Sequence, residues 1–571
     1  MNKRICTFII VLFLINTSYI VLGDLKTTGN GDIPSVTINI EPFSVVYEGD
    51  IINCTITGDP TVKYWLINNL TKHYTFNKNC PIIFNPEPTP LNDEFVNLSV
   101  YVENINGNDS CSVQVKLKKL FFGDIHWHTD IGDGFNRVDE MYKNAISDNY
   151  LDFSACSEHA DTFLFYLIKP FRIFKTLFNK LTGKDFWQIM KDKAIKYYNP
   201  GNFTTLLAFE WSASNLYPGG WKISPNGHED VSHINFYYRD VYKDAKNYNP
   251  FEKKNYDEIL TAMEEEWDKG HLNIGFPHHP IAKCYFFGTK GFAKYFPFYY
   301  TANWSFLTKK LTNPAARDKL LRGVEVYSRW GTSIGQYSNI PITWPYLIDN
   351  LKNNVTFDNN SDAWVENGMW EYSENLQGKK YAMIASSDTH GINRPGSVDI
   401  ADKQKPAGII AAYSIHNTRE EIWDAMNDCD IYGTQALKIR ANVKTDGKIA
   451  YGRWINCTSP LKINISAMST FSGYDSSGKI MCPHGYNSKN LNYPIEDIWL
   501  IKKDKVKGRP WCKVISHWQP NQNVVVVDYE DYNVEPNDFY YVVIRQKGQE
   551  LFTGKDDYTA FIGPIFVNNV I

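Results

Sequence analysis

Short runs in which apolar and polar residues alternate dominate the first part of the chain. They fall at residues 36–40, 62–67, 96–102 and 111–117, with Gly, Asp and Asn clusters between them. Alternation with a period of two is typical of a strand that buries one face. Residues 33–119 therefore predict an antiparallel β-sandwich.

Three residues give this sandwich an immunoglobulin-like character. Cys54, Trp65 and Cys111 follow the Cys, Trp, Cys order of sandwiches whose inter-sheet disulfide packs on a buried tryptophan. Cys80 is an alternative partner, so the sequence leaves the pairing open. The chain has ten cysteines, and loss of Cys6 with an N-terminal leader would leave an odd number. At least one thiol would then be free or bonded to another chain.

The pattern changes after residue 120, where short apolar segments alternate with amphipathic helices. The apolar segments are at 151–156, 205–209, 272–276, 323–327 and 381–385, and the clearest helices are at 256–269 and 419–426. This alternation predicts a parallel α/β domain over 120–445, either open or closed into a barrel. Short strands such as 524–527 and 539–544 return afterwards, so residues 446–571 predict a second β-sandwich.

The N-terminus has the layout of a secretory signal peptide over residues 1–23. Lys3 and Arg4 precede an uncharged apolar stretch that ends at Gly23. An uncleaved membrane anchor is the alternative reading, and both place the rest of the chain outside the cell, secreted or at the cell surface. Export would permit disulfides and glycosylation at the Asn-x-Ser/Thr sequons that recur along the chain.

Composition and charge narrow the function classes. A chain of 571 residues with 43% hydrophobic and 21% charged residues is a folded, multidomain protein rather than a disordered one. Its net charge of −4 provides no general basic field for nucleic acid. Residues 163–184 are a local exception, because they are basic and carry Phe and Leu at helical spacing. They predict an amphipathic helix that lids a site, contacts a membrane surface, attracts an anionic substrate or simply packs on the domain.

Histidines and carboxylates cluster at the ends of the predicted α/β strands. The motifs occupy residues 124–129, 157–159, 209–211, 232–234, 277–280 and 386–390. The carboxyl ends of strands are where α/β enzymes build their sites, and a His-x-His pair on a strand points both rings to one side. Imidazoles with carboxylates form a ligand set for zinc, manganese or iron. The sequence therefore predicts a metal site.

The motif order resembles the PHP (polymerase and histidinol phosphatase) superfamily. The resemblance is carried by Phe-Gly-Asp-Ile-His-Trp-His-Thr at 122–129, Glu-His at 158–159, and Ser-Asp-Thr-His-Gly at 387–391 followed by Arg-Pro-Gly. The resemblance covers residues 120–443. Within the superfamily, the chain is similar to an exported, uncharacterised branch that also carries a C-terminal sandwich. The resemblance implies a distorted (β/α) PHP-type barrel with a C-terminal β-sandwich, and the N-terminal sandwich lies outside it. Together with the Ig-like domain that the alternating runs predict, the expected fold class is multidomain α/β plus all-β, with the barrel flanked by an N-terminal Ig-like domain and a C-terminal β-sandwich.

The resemblance also implies two or three divalent metal ions (zinc, manganese or iron) in the barrel mouth. The implied ligands are His126, His128, His159, Glu210, His233, His278, Asp388 and His390. In this scheme Asp388 joins the His-x-His pair on one metal, Glu210 bridges to a second, and His159 and His390 serve a third. His279 is an alternative to His278 on the second metal. Asp133, or less well Asp130, would be a further ligand.

The implied function is hydrolysis of a phosphoester by a hydroxide that bridges two metals. Asp388 and Glu210 would be catalytic, and Arg394 could bind phosphate oxygens through its planar guanidinium. Glu325, at another strand end, would support the ligands, bind substrate or be a purely structural carboxylate. The expected substrate is a phosphorylated small molecule or glycan, with no nucleic acid. The alternatives are hydrolysis of another bond, or a cell-surface glycan-binding protein with structural metals.

Overall fold

A computed structural model provides the structure of the protein. It describes residues 32–571 apart from 133, 148–149, 161–184, 213–232, 250–251, 254, 279–282, 287–297, 302–311, 330, 333–377, 391–394, 397–406, 436, 470–493, 507–508 and 548–557. Several features named from the sequence lie outside the described residues: the predicted signal peptide, residues 163–184, Asp133, His279 and Arg394. No helix in the described part of the chain is long and apolar enough to cross a membrane.

The N-terminal part is built of strands around its own core. The strands are β1 Ser35–Ile38, β2 Val45–Tyr47, β3 Cys54–Thr57, β4 Val62–Ile67, β5 Phe76–Asn77, β6 Cys80–Pro81, β7 Val96–Asn104 and β8 Gly107–Asp124. β4, β7 and β8 pair in antiparallel order, while β1 pairs with β3 in a separate sheet. Trp65 is fully buried against Leu98 and Val100. All four predicted alternating runs are strands, and the immunoglobulin-like topology stays a prediction.

The predicted disulfide is not present. Cys54, Cys80 and Cys111 are free thiols. Cys54 lies on β3, in the sheet with β1, whereas Cys111 lies on β8 opposite Val100. Burial raises the pKa of the Cys54 thiol to about 12, and the neighbouring Cys80 and Cys111 add to the effect. The order of residues along the chain predicted a disulfide; the structure brings the three cysteines near one another but shows no bond between two of them.

A single strand joins the N-terminal part to the central part. β8 runs without a break through residue 119, where the sequence predicted a domain boundary. Beside it, the carboxylate of Glu48 is completely buried and accepts hydrogen bonds from Asn85 N at 2.9 Å and Leu120 N at 3.0 Å. The same carboxylate pairs with the Arg440 guanidinium. Glu48 thus ties three separate parts of the chain together.

Replacing Glu48 by Ala should destabilise this junction strongly. The substitution leaves Arg440 and the Leu120 amide without their buried acceptor, a change that typically costs about 3–5 kcal/mol. Glu94→Ala is the matched control, because Glu94 is 59% exposed in its pair with Lys116 and such surface pairs contribute about 0–1 kcal/mol. Calorimetric unfolding of the full chain measures both. Equal losses of stability in the two variants would contradict the role given to Glu48.

The central part combines short strands with helices. The strands are β9 Phe153–Ser154, β10 Thr204–Thr205, β11 Leu207–Ser212, β12 His233–Tyr238, β13 Asn273–His278, β14 Lys283–Phe286, β15 Phe298–Thr301, β16 Gly323–Ser328, β17 Gly331–Thr332, β18 Ala382–Ala385, β19 Gly408–Ser414 and β20 Ile431–Gln435. The described helices are α1 Val138–Ser147, α2 Phe186–Lys196, α3 Tyr256–Asp268, α4 Pro314–Leu320 and α5 Arg419–Asp428. The predicted helices correspond to α3 and α5, whose N-caps are Asn255 and Thr418.

The predicted parallel arrangement holds for only part of the central strands. β8, β9 and β10 are parallel, as are β16 and β18, but β11, β12 and β13 form an antiparallel sheet. Apolar patterning sets which residues are buried and carries no information about strand direction, which explains the difference. The described strands form no closed barrel. Isolated parallel bridges nevertheless connect the sheet fragments, between Trp127 and Thr389 and between His159 and Glu210.

The C-terminal part consists of strands that pair in antiparallel order, apart from one parallel pair. They are β21 Arg440–Thr445, β22 Lys448–Ile449, β23 Trp454–Cys457, β24 Leu461–Met468, β25 Ile495–Val506, β26 Arg509–Trp518, β27 Val524–Asp531, β28 Phe539–Gln546 and β29 Tyr558–Val570. One sheet has the order β22, β21, β24, β27, and the other continues from β20 through β29, β28, β25 and β26. The parallel pair is β23 and β29. The two strands predicted here are confirmed as β27 and β28.

Candidate metal centre

Three antiparallel strands bring polar side chains to one sheet edge. In the register of β11, β12 and β13, Ser212 lies opposite His233, and His233 lies opposite His278. His233 is the first residue of β12, not the last of a strand as the sequence predicted. Because β12 runs antiparallel to its neighbours, its beginning lies at the same edge as the ends of β11 and β13. Glu210 is two residues earlier on β11 than Ser212 and therefore faces the same side.

The His-x-His pair and Asp388 meet where β8 and β18 end. The Asp388 amide donates to the His126 carbonyl at 2.7 Å, and the His128 amide donates to the Thr389 carbonyl at 2.9 Å. Asp388 has a φ of +51°, in the left-handed region that Asp tolerates better than most residues. Backbone strain of this kind is concentrated at functional sites.

Four side-chain atoms form a compact first donor group. His126 Nε2 and His128 Nε2 are 3.3 Å apart. Asp388 Oδ1 lies 3.2 Å from the first and 3.3 Å from the second, and Glu210 Oε2 lies 3.3 and 3.2 Å from them. Donors about 3.3–3.4 Å apart are what a tetrahedral ion with bonds of about 2.0–2.1 Å requires. Both the donor types and their spacing fit a divalent cation.

The other oxygen of Glu210 faces a second donor group. Glu210 Oε1 lies 2.6 Å from His233 Nδ1 and 3.2 Å from His278 Nε2, and it accepts a hydrogen bond from the Ser212 hydroxyl at 2.8 Å. Burial alone would raise the pKa of Glu210, but the histidines around it, His159, His278 and His233, hold that pKa well below its usual value. One carboxylate therefore lies between two sets of imidazoles.

A third group contains His128, His159 and His390. Their ring nitrogens lie within 4.8 Å of one another. The His128 ring stacks on His390 at 4.0 Å and on His159 at 4.5 Å between ring centroids. The His390 side chain is 25% exposed and that of His159 is 11% exposed, whereas His128 is fully buried. The third group is thus the more open side of the cluster.

Carboxylates behind the cluster orient its histidines. Glu325 Oε2 lies 2.9 Å from His126 Nδ1 and also accepts the Ser386 hydroxyl. Burial favours the neutral His126 ring, yet Asp388 and Glu325 raise the pKa of His126 to about 10. Glu158 lies 3.3 Å from His128 Nδ1. Because a carboxylate lies against the Nδ1 atom of each ring, the Nε2 atoms of His126 and His128 point inward as members of the first donor group.

The structure brings together all eight ligand residues named from the sequence. Asp130 is exposed and belongs to none of the donor groups found among the described residues. The sequence left the role of Glu325 open, and the structure places it against His126. No role was predicted for Glu158 or for Asp124, whose carboxylate accepts hydrogen bonds from the Ser387 and Gly396 amides at 3.0 and 2.9 Å. Asp124 and Glu158 stand inside the motifs at 124–129 and 157–159, and this position could have indicated a role at the site.

Glu325→Gln should weaken metal binding without unfolding the protein. The amide keeps the size of the side chain but removes the charge that orients His126, and loss of such a partner typically costs about 10–100-fold in metal affinity. Zinc affinity measured by competition with a chromophoric chelator tests this expectation. Glu420→Gln is the matched control, because Glu420 is 65% exposed and pairs with Arg239 away from the cluster. Equal zinc affinity in the two variants would show that Glu325 does not orient a metal ligand.

Two comparisons with known proteins found similarities to this chain. A family model described as "Protein of unknown function (DUF3604)" matches residues 159–290 and 366–448, which is less than half of the chain. A solved structure from Bacteroides vulgatus ATCC 8482, a two-domain protein containing a predicted PHP-like metal-dependent phosphoesterase, is similar with a TM-score of 0.32 and 11% identity. That similarity covers 78% of this chain and 96% of the other. No curated protein matches the chain. Any assignment of function therefore depends on the geometry of the donor groups.

Proposed function

We propose that this protein is a metal-dependent hydrolase of phosphoesters that binds two or three divalent cations. The observation that supports this most strongly is the position of Glu210, with Oε2 against His126 and His128 and Oε1 against His233 and His278. A carboxylate shared in this way suits two cations about 3.5–4 Å apart, the arrangement that many phosphoesterases use.

The chain would hold each cation with a different set of side chains. His126, His128 and Asp388 would bind the first, and His233 and His278 the second, with Glu210 between them. His159 and His390 would serve a third. Bound cations would supply Lewis-acid polarisation of a phosphoryl oxygen and a nucleophile at neutral pH.

The protein side chains prepare the centre for that chemistry. Glu325 and Glu158 orient the buried His126 and His128, which present their Nε2 atoms to the other donors. Two of the ligand histidines, His233 and His390, are 19% and 25% exposed. Substrate would therefore approach from the side of His233 and His390. Because these side chains are already held in place, the centre would stabilise the charge that develops in the transition state without a cost of rearrangement.

Three further expectations belong to the same proposal and rest on the sequence. Arg394 would bind the phosphate oxygens through its guanidinium, since it follows the Asp388 motif closely in the sequence. The strands around the centre would belong to a distorted (β/α) barrel. Residues 1–23 would direct export, so that the enzyme acts outside the cell.

Metal analysis combined with a substrate screen tests the proposal. The purified full chain should contain two or more ions of zinc, manganese or iron, and it should hydrolyse members of a panel of phosphomonoesters and phosphodiesters. Chelation should abolish the activity, and added manganese or zinc should restore it. A protein whose metal affects only its thermal stability, with no hydrolysis in any metal form, would instead be a binding protein with structural metals.

A further inference from the structure

A cavity of about 250 Å³ lies against the metal centre, on the side of His159. Glu158 and His159 line one wall of it, and residues from the start of α2 and from the segment before α3 line the others. A site of this size is smaller than the roughly 300–1,000 Å³ of pockets for drug-sized ligands, so it suits one small chemical group. Its inner wall is shared with the centre, because His159 Nδ1 lies 3.5 Å from Glu210 Oε2.

Aromatic rings form the apolar part of this cavity. Phe186 and Trp187 open α2, and Phe209 of β11 lies behind them. The Trp187 indole is fixed in place, because its Nε1 donates to the Ala245 carbonyl at 2.7 Å and its ring packs edge-on against Phe209 at 5.8 Å. These rings offer a preformed surface rather than one that must be ordered on binding.

The charged part of the cavity is acidic. Asp185 and Glu252 line it together with Glu158, and no Lys or Arg is present among its described lining residues. Glu158 is already engaged by Thr129 and His128. Lys191, on the same helix, holds its Nζ 5.6 Å from the Trp187 ring centroid and donates to the carbonyls of Lys243 and Ala245, 2.8 Å from each. It does not line the cavity, whose carboxylates Asp185 and Glu252 outnumber this one cation. An anionic group would therefore be repelled from this cavity, and a cationic group attracted.

We propose that the cavity binds an amine- or ammonium-bearing group on the alcohol part of the phosphoester. The inference rests on the proposed function, which places the phosphoryl group at the adjacent metal centre. Aromatic faces combined with carboxylates are the usual environment for ammonium groups, through cation–π attraction and ion pairing. Asp185 and Glu252 provide the charge, and Trp187 and Phe186 provide the rings.

Binding of choline and of its neutral isostere 3,3-dimethylbutan-1-ol to the full chain tests the inference without any hydrolysis. Calorimetric titration should show choline binding at least about 10-fold more tightly than the isostere, as the cation–π and ion-pair contributions predict. Asp185→Asn and Glu252→Gln should each reduce that preference about 3-fold or more. Asn still caps α2 as Asp185 does, by accepting from the Gln188 amide, so the fold of the helix is retained. Asp192→Asn, on the same helix outside the cavity, should leave the preference unchanged.

The outcomes separate this inference from the proposed function. Equal binding of choline and the isostere, no binding of either, or an unchanged preference in both variants would overturn the inference. If phosphoester hydrolysis is still observed in that case, the proposed function stands alone. Charge-selective binding in a protein that hydrolyses no phosphoester would instead overturn the proposed function and leave the cavity as an ammonium site.

Discussion

Replacing Asp388 by Ala should lower phosphoester hydrolysis by more than about 100-fold, since loss of an outer partner alone typically costs about 10–100-fold in metal affinity or activity. Asp388 Oδ1 lies 3.2–3.3 Å from both histidines of the first donor group. Its removal takes away one of the four donors and a negative charge. Metal content should fall together with activity, and chelation of the wild-type protein should reproduce the loss.

A second substitution separates the lost ligand from backbone strain. Ala adopts the φ of +51° at position 388 less readily than Asp, whereas Asn tolerates that region and keeps the shape of the side chain. Asp388→Asn should therefore fold normally and still lose most activity. Asp268→Ala is the control, because Asp268 is 67% exposed and pairs with Lys319 on the surface. Hydrolysis at the wild-type rate by a folded Asp388 variant with full metal content would falsify the proposed ligand set.

Glu210→Gln should have the largest effect of any single substitution. The Glu210 side chain is 1% exposed and lies between the two donor groups. A glutamine has one oxygen and one NH₂ group, so it can present an acceptor to only one of the groups and faces the other with a donor. We expect the loss of at least one bound ion per chain and a fall in hydrolysis of more than about 100-fold, beyond the effect of losing an outer partner.

Metal analysis and turnover measured on the same preparations test this expectation. Glu420→Gln again serves as the control for a Glu to Gln change on the surface. Near-ultraviolet circular dichroism establishes that the variant is folded. If folded Glu210→Gln retains the full number of ions, Glu210 does not bridge two cations.

Local patterns predicted the strands and the convergence of the site well. The run at 62–67 coincides with β4, because strict alternation specifies both the strand and its buried face. The histidines and carboxylates named from the motifs converge because most of the motifs lie at or just beyond the ends of strands, and His233 joins them from the beginning of the antiparallel β12. His126 and His128 share one side of the chain because side chains alternate with a period of two.

Properties that depend on distant parts of the chain were not predicted. The direction of β12 is set by its pairing with β11 and β13, which no local pattern encodes. The continuity of β8 into the central part depends on its pairing with β7 and β19. The contacts of Glu158 with Thr129 and His128 join segments about thirty residues apart in sequence. Such long-range pairing is decided by packing energy rather than by local preference.

Anomalous diffraction from crystals of the full chain loaded with manganese or zinc would locate the bound ions. We expect at least two strong peaks, one on either side of the Glu210 carboxylate. One should lie within bonding distance of His126, His128 and Asp388, and the other within bonding distance of His233 and His278. A single peak, or peaks remote from Glu210, would contradict a shared carboxylate between two cations.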